Sequence, residues 1–404
     1  MKWLGRFSLA AALLVGVAVW QWGNSAAAAG GPATPVSGPY RVLEPIASGN
    51  LELFPVVRAD QKPVNETPFL TLDEGLKSGE VEVTEAGRAR GLVRSRDGGG
   101  WEGREHTHYN NLVRGDEVNT LVLVNRSKRP LLLLAGEVVT GGKQDRIVAK
   151  DRIVAAESDP VDLSVFCIEP SRWTESSANF GASNKSLANS FMVQPKVRER
   201  AMAAQDQQQV WDSVNGAVAN MAVVAAPAAS GAEQRELRTT SYAKAMNDEA
   251  VSAKVDQAAA AVIDAREQVL SRLREEHAVG VVVAVRGQIV WADIFASTGL
   301  LERYWTKLVR SYAAESLEES NGHATPGVED ALHFLDTPPG GMEKSEGEVG
   351  IYRVRELKDH GTETFVLESL LPGTGYDVHV SKMKLRGTQT SMLKQHPFYQ
   401  RDVY

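Results

Sequence analysis

Thr120-Leu-Val-Leu-Val-Asn-Arg-Ser-Lys-Arg-Pro-Leu-Leu-Leu-Leu134 is the stretch on which the fold reading turns. Its two apolar runs, 120–124 and 131–134, lack polar alternation, so each is expected to be a strand buried on both faces. Asn125-Arg-Ser-Lys-Arg-Pro130 between them reads as a turn closed by a proline. Upstream, Val81-Glu-Val-Thr84 alternates as a half-buried strand does. Leu51 and Leu53 alternate against polar neighbours before Phe54-Pro55. Thr71 with Glu74 three positions later predicts a capped helix start. Downstream, 147–155 and 161–168 read as two more strands separated by Glu157-Ser-Asp-Pro160. Asp145-Arg-Ile-Val recurs as Asp151-Arg-Ile-Val. On one continuous strand that even offset would put both arginines on one face.

Residues 40–170 are therefore expected to form a β-rich layer, and the composition then changes. Residues 197–221 carry Val210, Val214 and Val218 on one helical face, within a helical middle expected over 190–277. Residues 247–276 predict a second long helix with Val251, Val255, Val262, Val269 and Leu273 as its stripe and Gly280 closing it. The part from 278 to 385 reads as mixed. A hairpin over 279–295 turns at Arg286-Gly287-Gln288, and a helix over 300–317 carries Tyr304, Trp305, Leu308 and Tyr312. Strand character returns at 349–357, 364–371 and 377–385, before a tail at 386–404. Strands and helices are segregated rather than alternating, which predicts an α+β fold and argues against a doubly wound parallel sheet.

The 404 residues carry 44 Lys+Arg against 51 Asp+Glu, a formal charge of -7, so there is no basic surplus for a nucleic-acid partner. Cys167 is the one cysteine, which excludes an internal disulfide and a multi-cysteine zinc site. Its apolar strand neighbours, Phe166 and Ile168, predict a buried structural thiol. Residues 1–29 read as an export signal: Lys2 and Arg6, an uncharged apolar run over 7–20, then Ala27-Ala28-Ala29 before Gly30. The run is about 14 residues, short of the roughly 20 that span a bilayer. Cleavage near Ala29 would remove two positive charges and leave about -9. The expected address is periplasmic or secreted, with residues 30–39 as a flexible lead-in and no membrane contact beyond the signal.

Several blocks resemble an uncharacterised family. They are Leu131-Leu-Leu-Leu-Ala-Gly-Glu137, Gly141-Gly-Lys-Gln-Asp-Arg146 and Val165-Phe-Cys-Ile-Glu-Pro-Ser-Arg-Trp173. Leu70-Thr-Leu-Asp-Glu-Gly-Leu76, Val81-Glu-Val-Thr-Glu85, Val210-Trp-Asp-Ser-Val214 and residues 281–295 and 305–314 agree in order. The likeness is to the ADP-ribosylglycohydrolase- and rhodanese-phosphatase-superfamily-associated protein domain, over roughly residues 40–380. The resemblance implies one extended unit over 40–385 and, by association alone, a connection to ADP-ribose or nucleotide metabolism. It supplies no catalytic residue.

The segment 136–146 is the first candidate site. Its glycines allow tight turns, and Lys143, Gln144 and Arg146 place cationic and amide donors that could meet phosphate or carboxylate. It is not a Walker A loop, because Gln144 stands where Ser or Thr must follow the lysine. The plainer alternative is a hairpin turn whose Lys and Arg pair with Glu137, Asp145 or Asp151. Glu169, Arg172 and Trp173 form the second candidate: Trp173 could stack on a ring while Arg172 clamps an anion. Its plainer alternative has Arg172 bridging Glu169. The leading reading is an exported binding module for a small anionic or nucleotide-like ligand. A hydrolase using Glu137 and Glu169 as a carboxylate pair is the second, and a structural or interaction domain the third. No cofactor and no metal are expected. His106-Thr-His108 with Glu117 lacks the spacing of a recognised metal motif, and no His-Glu-x-x-His occurs. Oligomeric state is not legible.

Overall fold

The computed structural model describes residues 36–37, 39–59, 69–89, 93–94, 109–110, 118–170, 172–182, 191–226, 239–318, 325–336, 343–359, 361–372 and 376–386. The expected export signal, most of the lead-in and tail, and His106, His108 and Glu117 lie outside them. Residues 35–404 cluster as one unit.

The fold is α+β. Its spine is a ten-stranded sheet in the order Val36–Ser37, Tyr40–Val42, Leu51–Arg58, Ala278–Val285, Gln288–Phe295, Tyr376–Lys384, Thr362–Ser369, Tyr352–Asp359, Glu343–Glu348, with Ile46–Ser48 also on Leu51–Arg58. Four N-terminal strands thus form one side of a sheet whose other strands come from the C-terminal part, and Leu51–Arg58 makes the join. Both faces of this sheet are covered. Val281 and Val283 face the main core with the helices, while Val282 and Ala284 face a second core closed by the helix Val328–Asp336. That explains a strand, Ala278–Val285, with no polar residue.

The rest of the N-terminal region forms two smaller sheets. Leu131–Leu133 lies between Arg152–Val154 and Leu70–Thr71. Leu131 and Leu133 face the core shared by the two smaller sheets, and Leu132 and Leu134 face the main one, so the run is buried on both faces as expected. Thr120–Asn125 pairs with Val161–Cys167 and Val81–Glu85 in the other sheet. The turn between the two runs is held by Asn125. Its side-chain amide donates to the carbonyls of Arg129 and Ala155, both at 2.9 Å. The helix Leu72–Ser78 has the predicted capping box, with Thr71 and Glu74 bonded reciprocally.

Four expectations need correction. Residues 147–155 are two short strands, Arg146–Val148 and Arg152–Val154, in different sheets, so the repeated arginines do not share a strand. The break falls at Lys150-Asp151, whose side chains are tied to Glu346 and His379 in the C-terminal part. The long helix over 197–221 is interrupted. Pro195–Glu199 and a π-turn at Arg200–Ala204 end on Gln205 at φ +52°, and Asp206 caps a new helix, Gln207–Ala225. The helix over 247–276 is three pieces, Glu249–Ala258, Ala260–Ile263 and Arg266–Glu275.

Gly280 does not close a helix. It lies inside Ala278–Val285, and a Cβ there would stand 2.5 Å from the carbonyl oxygen of Asp293 on the neighbouring strand. Gly280→Ala is therefore expected to cost about 1–3 kcal/mol through forced strand separation, read by urea denaturation. An unchanged midpoint would show that the strands can part freely. Among the described residues, no helix is long and apolar enough to cross a membrane.

Candidate functional site

The hairpin Val138–Gly141 to Arg146–Val148 sets Arg146 opposite Cys167 on the next strand. Gly141 and Gly142 take φ of +126° and +50°, which folds the connection tightly. A Cβ on Gly142 would meet the Phe180 ring at 2.2 Å. The connection packs directly on the segment following Val161–Cys167, so both candidate sites come together.

Arg172 is the staple between them. Its Nε donates to Glu169 Oε2 at 2.7 Å, and its Nη1 to the carbonyls of Gly142 at 3.0 Å and Thr174 at 2.8 Å. Nη2 reaches Asp145 Oδ1 at 3.5 Å. Glu169 also accepts from the Asp145 amide at 3.2 Å and Lys244 Nζ at 2.9 Å, and its backbone carbonyl takes Gln144 Nε2 at 3.0 Å. Burial pushes the Glu169 carboxyl up, and the bonds from Arg172 and Lys244 outweigh it and hold it below the usual range. Asp145 is raised by burial and by Glu169 beside it. The anion clamp expected of Arg172 is thus closed on the protein's own carboxylate. The loop amides are used in the same way: Gly141 N–H donates to Asp145, Gly142 N–H to Ser177 and Lys143 N–H to Glu85.

Arg146 is different. Its side chain is fully buried, Nε donates to the Val118 carbonyl at 2.8 Å, and neither Nη1 nor Nη2 has a hydrogen-bond partner among the described residues. Burial lowers its affinity for the proton, and the charges of Cys167, Glu85 and Asp145 only partly restore it. Its guanidinium carbon lies 5.8 Å from the centroid of the Trp173 ring, and Lys143 Nζ lies 5.1 Å from the same ring. Trp173 is 46% exposed. Two buried acceptors nearby in the same loop packing, Gln144 Oε1 and Glu85 Oε2, also lack partners. Cys167 is buried, and burial pushes its thiol up, as a structural cysteine requires.

Glu137 stands apart. Its carboxylate accepts from Leu134 N–H at 2.8 Å and Lys307 Nζ at 2.5 Å, and Lys307 also meets Asp73 at 2.8 Å. Burial raises the Glu137 carboxyl, and Lys307 offsets this only in part. Glu137 and Glu169 share no hydrogen-bonding partner, so the expected carboxylate pair is divided between two clusters. The sequence reading missed Glu85, Lys244, Lys307 and Ser241, whose hydroxyl donates to Asp145 Oδ2 at 2.9 Å. Glu85 and Lys307 lay in blocks that had drawn notice.

A further polar cluster is enclosed in the core. Asp293 accepts from Arg198 Nη1 and Nη2 at 2.8 and 3.0 Å, from Tyr312 and from Ser381 at 3.0 Å. His379 lies between Asp293 at 3.2 Å and Asp151 at 2.6 Å. Among the described residues, no group of three or more His, Cys, Asp or Glu could hold a metal ion.

The family model of the ARG and Rhodanese-Phosphatase-superfamily-associated Protein domain matches residues 39–383. No curated protein and no solved structure matches the chain.

Proposed function

For a chain that belongs to the ARG and Rhodanese-Phosphatase-superfamily-associated Protein domain family, we propose a binding role: an exported module that takes a small anionic ligand at Arg146. The observation that carries this is the fully buried Arg146 guanidinium with two terminal nitrogens unpartnered beside the exposed face of Trp173. Such a fork matches a carboxylate or phosphate edge, and its desolvated charge is costly until an anion meets it. Gln144 Oε1 and Glu85 Oε2 add unused acceptors, which suits an anion that also carries hydroxyl or N–H donors. Trp173 offers a ring face for stacking. Sugar phosphates and nucleotides combine these features.

The test is a thermal-shift series on the full chain with inorganic phosphate, nucleoside diphosphates, ADP-ribose and sugar phosphates. A ligand at 100 times its Kd stabilises by about 2.7 kcal/mol. Arg146→Ala should abolish that gain while leaving the free protein as stable as before or more so, because it removes an uncompensated buried charge. Arg172→Ala should do the reverse and lower basal stability by about 2 kcal/mol or more, because it removes charged hydrogen bonds that close the loop. Stabilisation that survives Arg146→Ala would remove the residue from the site. Export is checked by the mature N-terminus, expected just after Ala29 in a secreted or periplasmic fraction.

A further inference from the structure

A cavity of about 640 Å³ opens away from Arg146, between the long helix Thr298–Ser316, the helices Ala260–Ile263 and Arg266–Glu275, and the start of Leu72–Ser78. Its volume is that of a small-molecule site. Part of its wall is apolar, made by Val262, Ile263, Leu270 and Val309. Two buried cations one helical turn apart, Lys307 and Arg310, line the same cavity.

The two cations are not equivalent. Lys307 is held by Asp73 and Glu137, themselves both buried, so its charge is matched inside the protein. Arg310 is 3% exposed, yet Asp256, its one carboxylate partner among the described residues, is 42% exposed. Ser252 takes its Nη2 at 3.0 Å, and its Nε has no hydrogen-bond partner. A buried guanidinium here leans on a carboxylate that can rotate into water at little cost. A ligand carboxylate could take the place of Asp256, and the apolar wall next to it would cover the body of that ligand.

We propose that this cavity binds an apolar monocarboxylate, with the acid group on Arg310 in place of Asp256 and the hydrocarbon body against Val262, Ile263, Leu270 and Val309. The side chain of Asp256 stands in for the ligand head, which is why a carboxylate is favoured over a bulkier anion. The site shares no residue with the Arg146 site and does not depend on it.

The test is isothermal titration of the full chain with decanoate, beside decanol and decyltrimethylammonium as neutral and cationic bodies of equal length. The expected result is one decanoate per chain, bound at least tenfold more tightly than either control. Asp256→Asn should tighten decanoate several-fold by removing the competing carboxylate. Ile263→Glu, at a half-buried position, should weaken it at least tenfold. Arg146→Ala should leave it unchanged, which separates this site from the anion site. Equal binding of decanol and decanoate, no binding of decanoate, or affinities indifferent to both Asp256→Asn and Ile263→Glu would overturn the proposal.

Discussion

Asp293→Ala is expected to lower the stability of the fold by about 3–5 kcal/mol, the cost of breaking a buried ion pair from one side. Asp293 is wholly buried and answers two cations, Arg198 and His379, while also accepting from Tyr312 and Ser381. Burial pushes its carboxyl up, and Arg198 and His379 overcome this and hold it far below the usual range. Removing it leaves the buried Arg198 guanidinium without its paired carboxylate, beside a His379 imidazolium still paired with Asp151. The cluster joins the helix Pro195–Glu199, the strands Gln288–Phe295 and Tyr376–Lys384, and the helix Thr298–Ser316, so the loss should appear in global unfolding. Urea denaturation reads it. Arg198→Met combined with Asp293→Ala should cost less than the two single changes added together. A loss below about 1 kcal/mol for Asp293→Ala would show that the charges are not coupled as the distances imply.

The second large effect is on pH. Burial disfavours the charged His379, but Asp151 and Asp293 on either side push its pKa to about 9. Its ordinary value is 6.5, so the folded state binds this proton more tightly than the unfolded chain. The resulting stability is complete below about pH 6.5 and is lost as pH rises through 9. A shift of that size corresponds to roughly 3 kcal/mol. Asp293 acts at the other end: its lowered value adds stability above the ordinary carboxylate range, lost as pH falls below it. Urea midpoints should therefore fall between pH 6.5 and 9.5 in the wild type. His379→Gln should flatten that limb while lowering stability at pH 6. A wild-type midpoint constant across this window would show His379 to be neutral in the fold.

What the sequence made legible follows from range. The strand run 131–134 was readable because burial on two faces removes polar residues from every position, a local signature. Thr71 and Glu74 were readable for the same reason, as were the helical faces of Val210, Val214 and Val218. The break at Gln205 was half-visible, since Asp206 is a good cap, but Ala-rich sequence on either side hides it. The breaks at Ala259 and Ala265 carry no glycine or proline. Tertiary contact marks the first of them, where Ser48 Oγ accepts from the Ala261 amide. In the candidate site, Arg172 with Glu169 was foreseeable from three-residue spacing. Lys244 on Glu169 and Lys307 on Glu137 join residues 75 and 170 apart, and no spacing rule reaches that far. The unpartnered state of Arg146 is a property of packing, and a sequence shows only that an arginine is present.

The place of Leu51–Arg58, where N-terminal strands meet C-terminal ones, also bears on synthesis. Its main partner, Ala278–Val285, lies more than two hundred residues later in the chain. Such pairing is slow to nucleate, because a long loop must close before the contact forms. A nascent chain that has emerged only to residue 277 holds this largely buried strand with an open edge. A translation pause just before Ala278 would lengthen that exposure, and holding chaperones would be needed most at this interval.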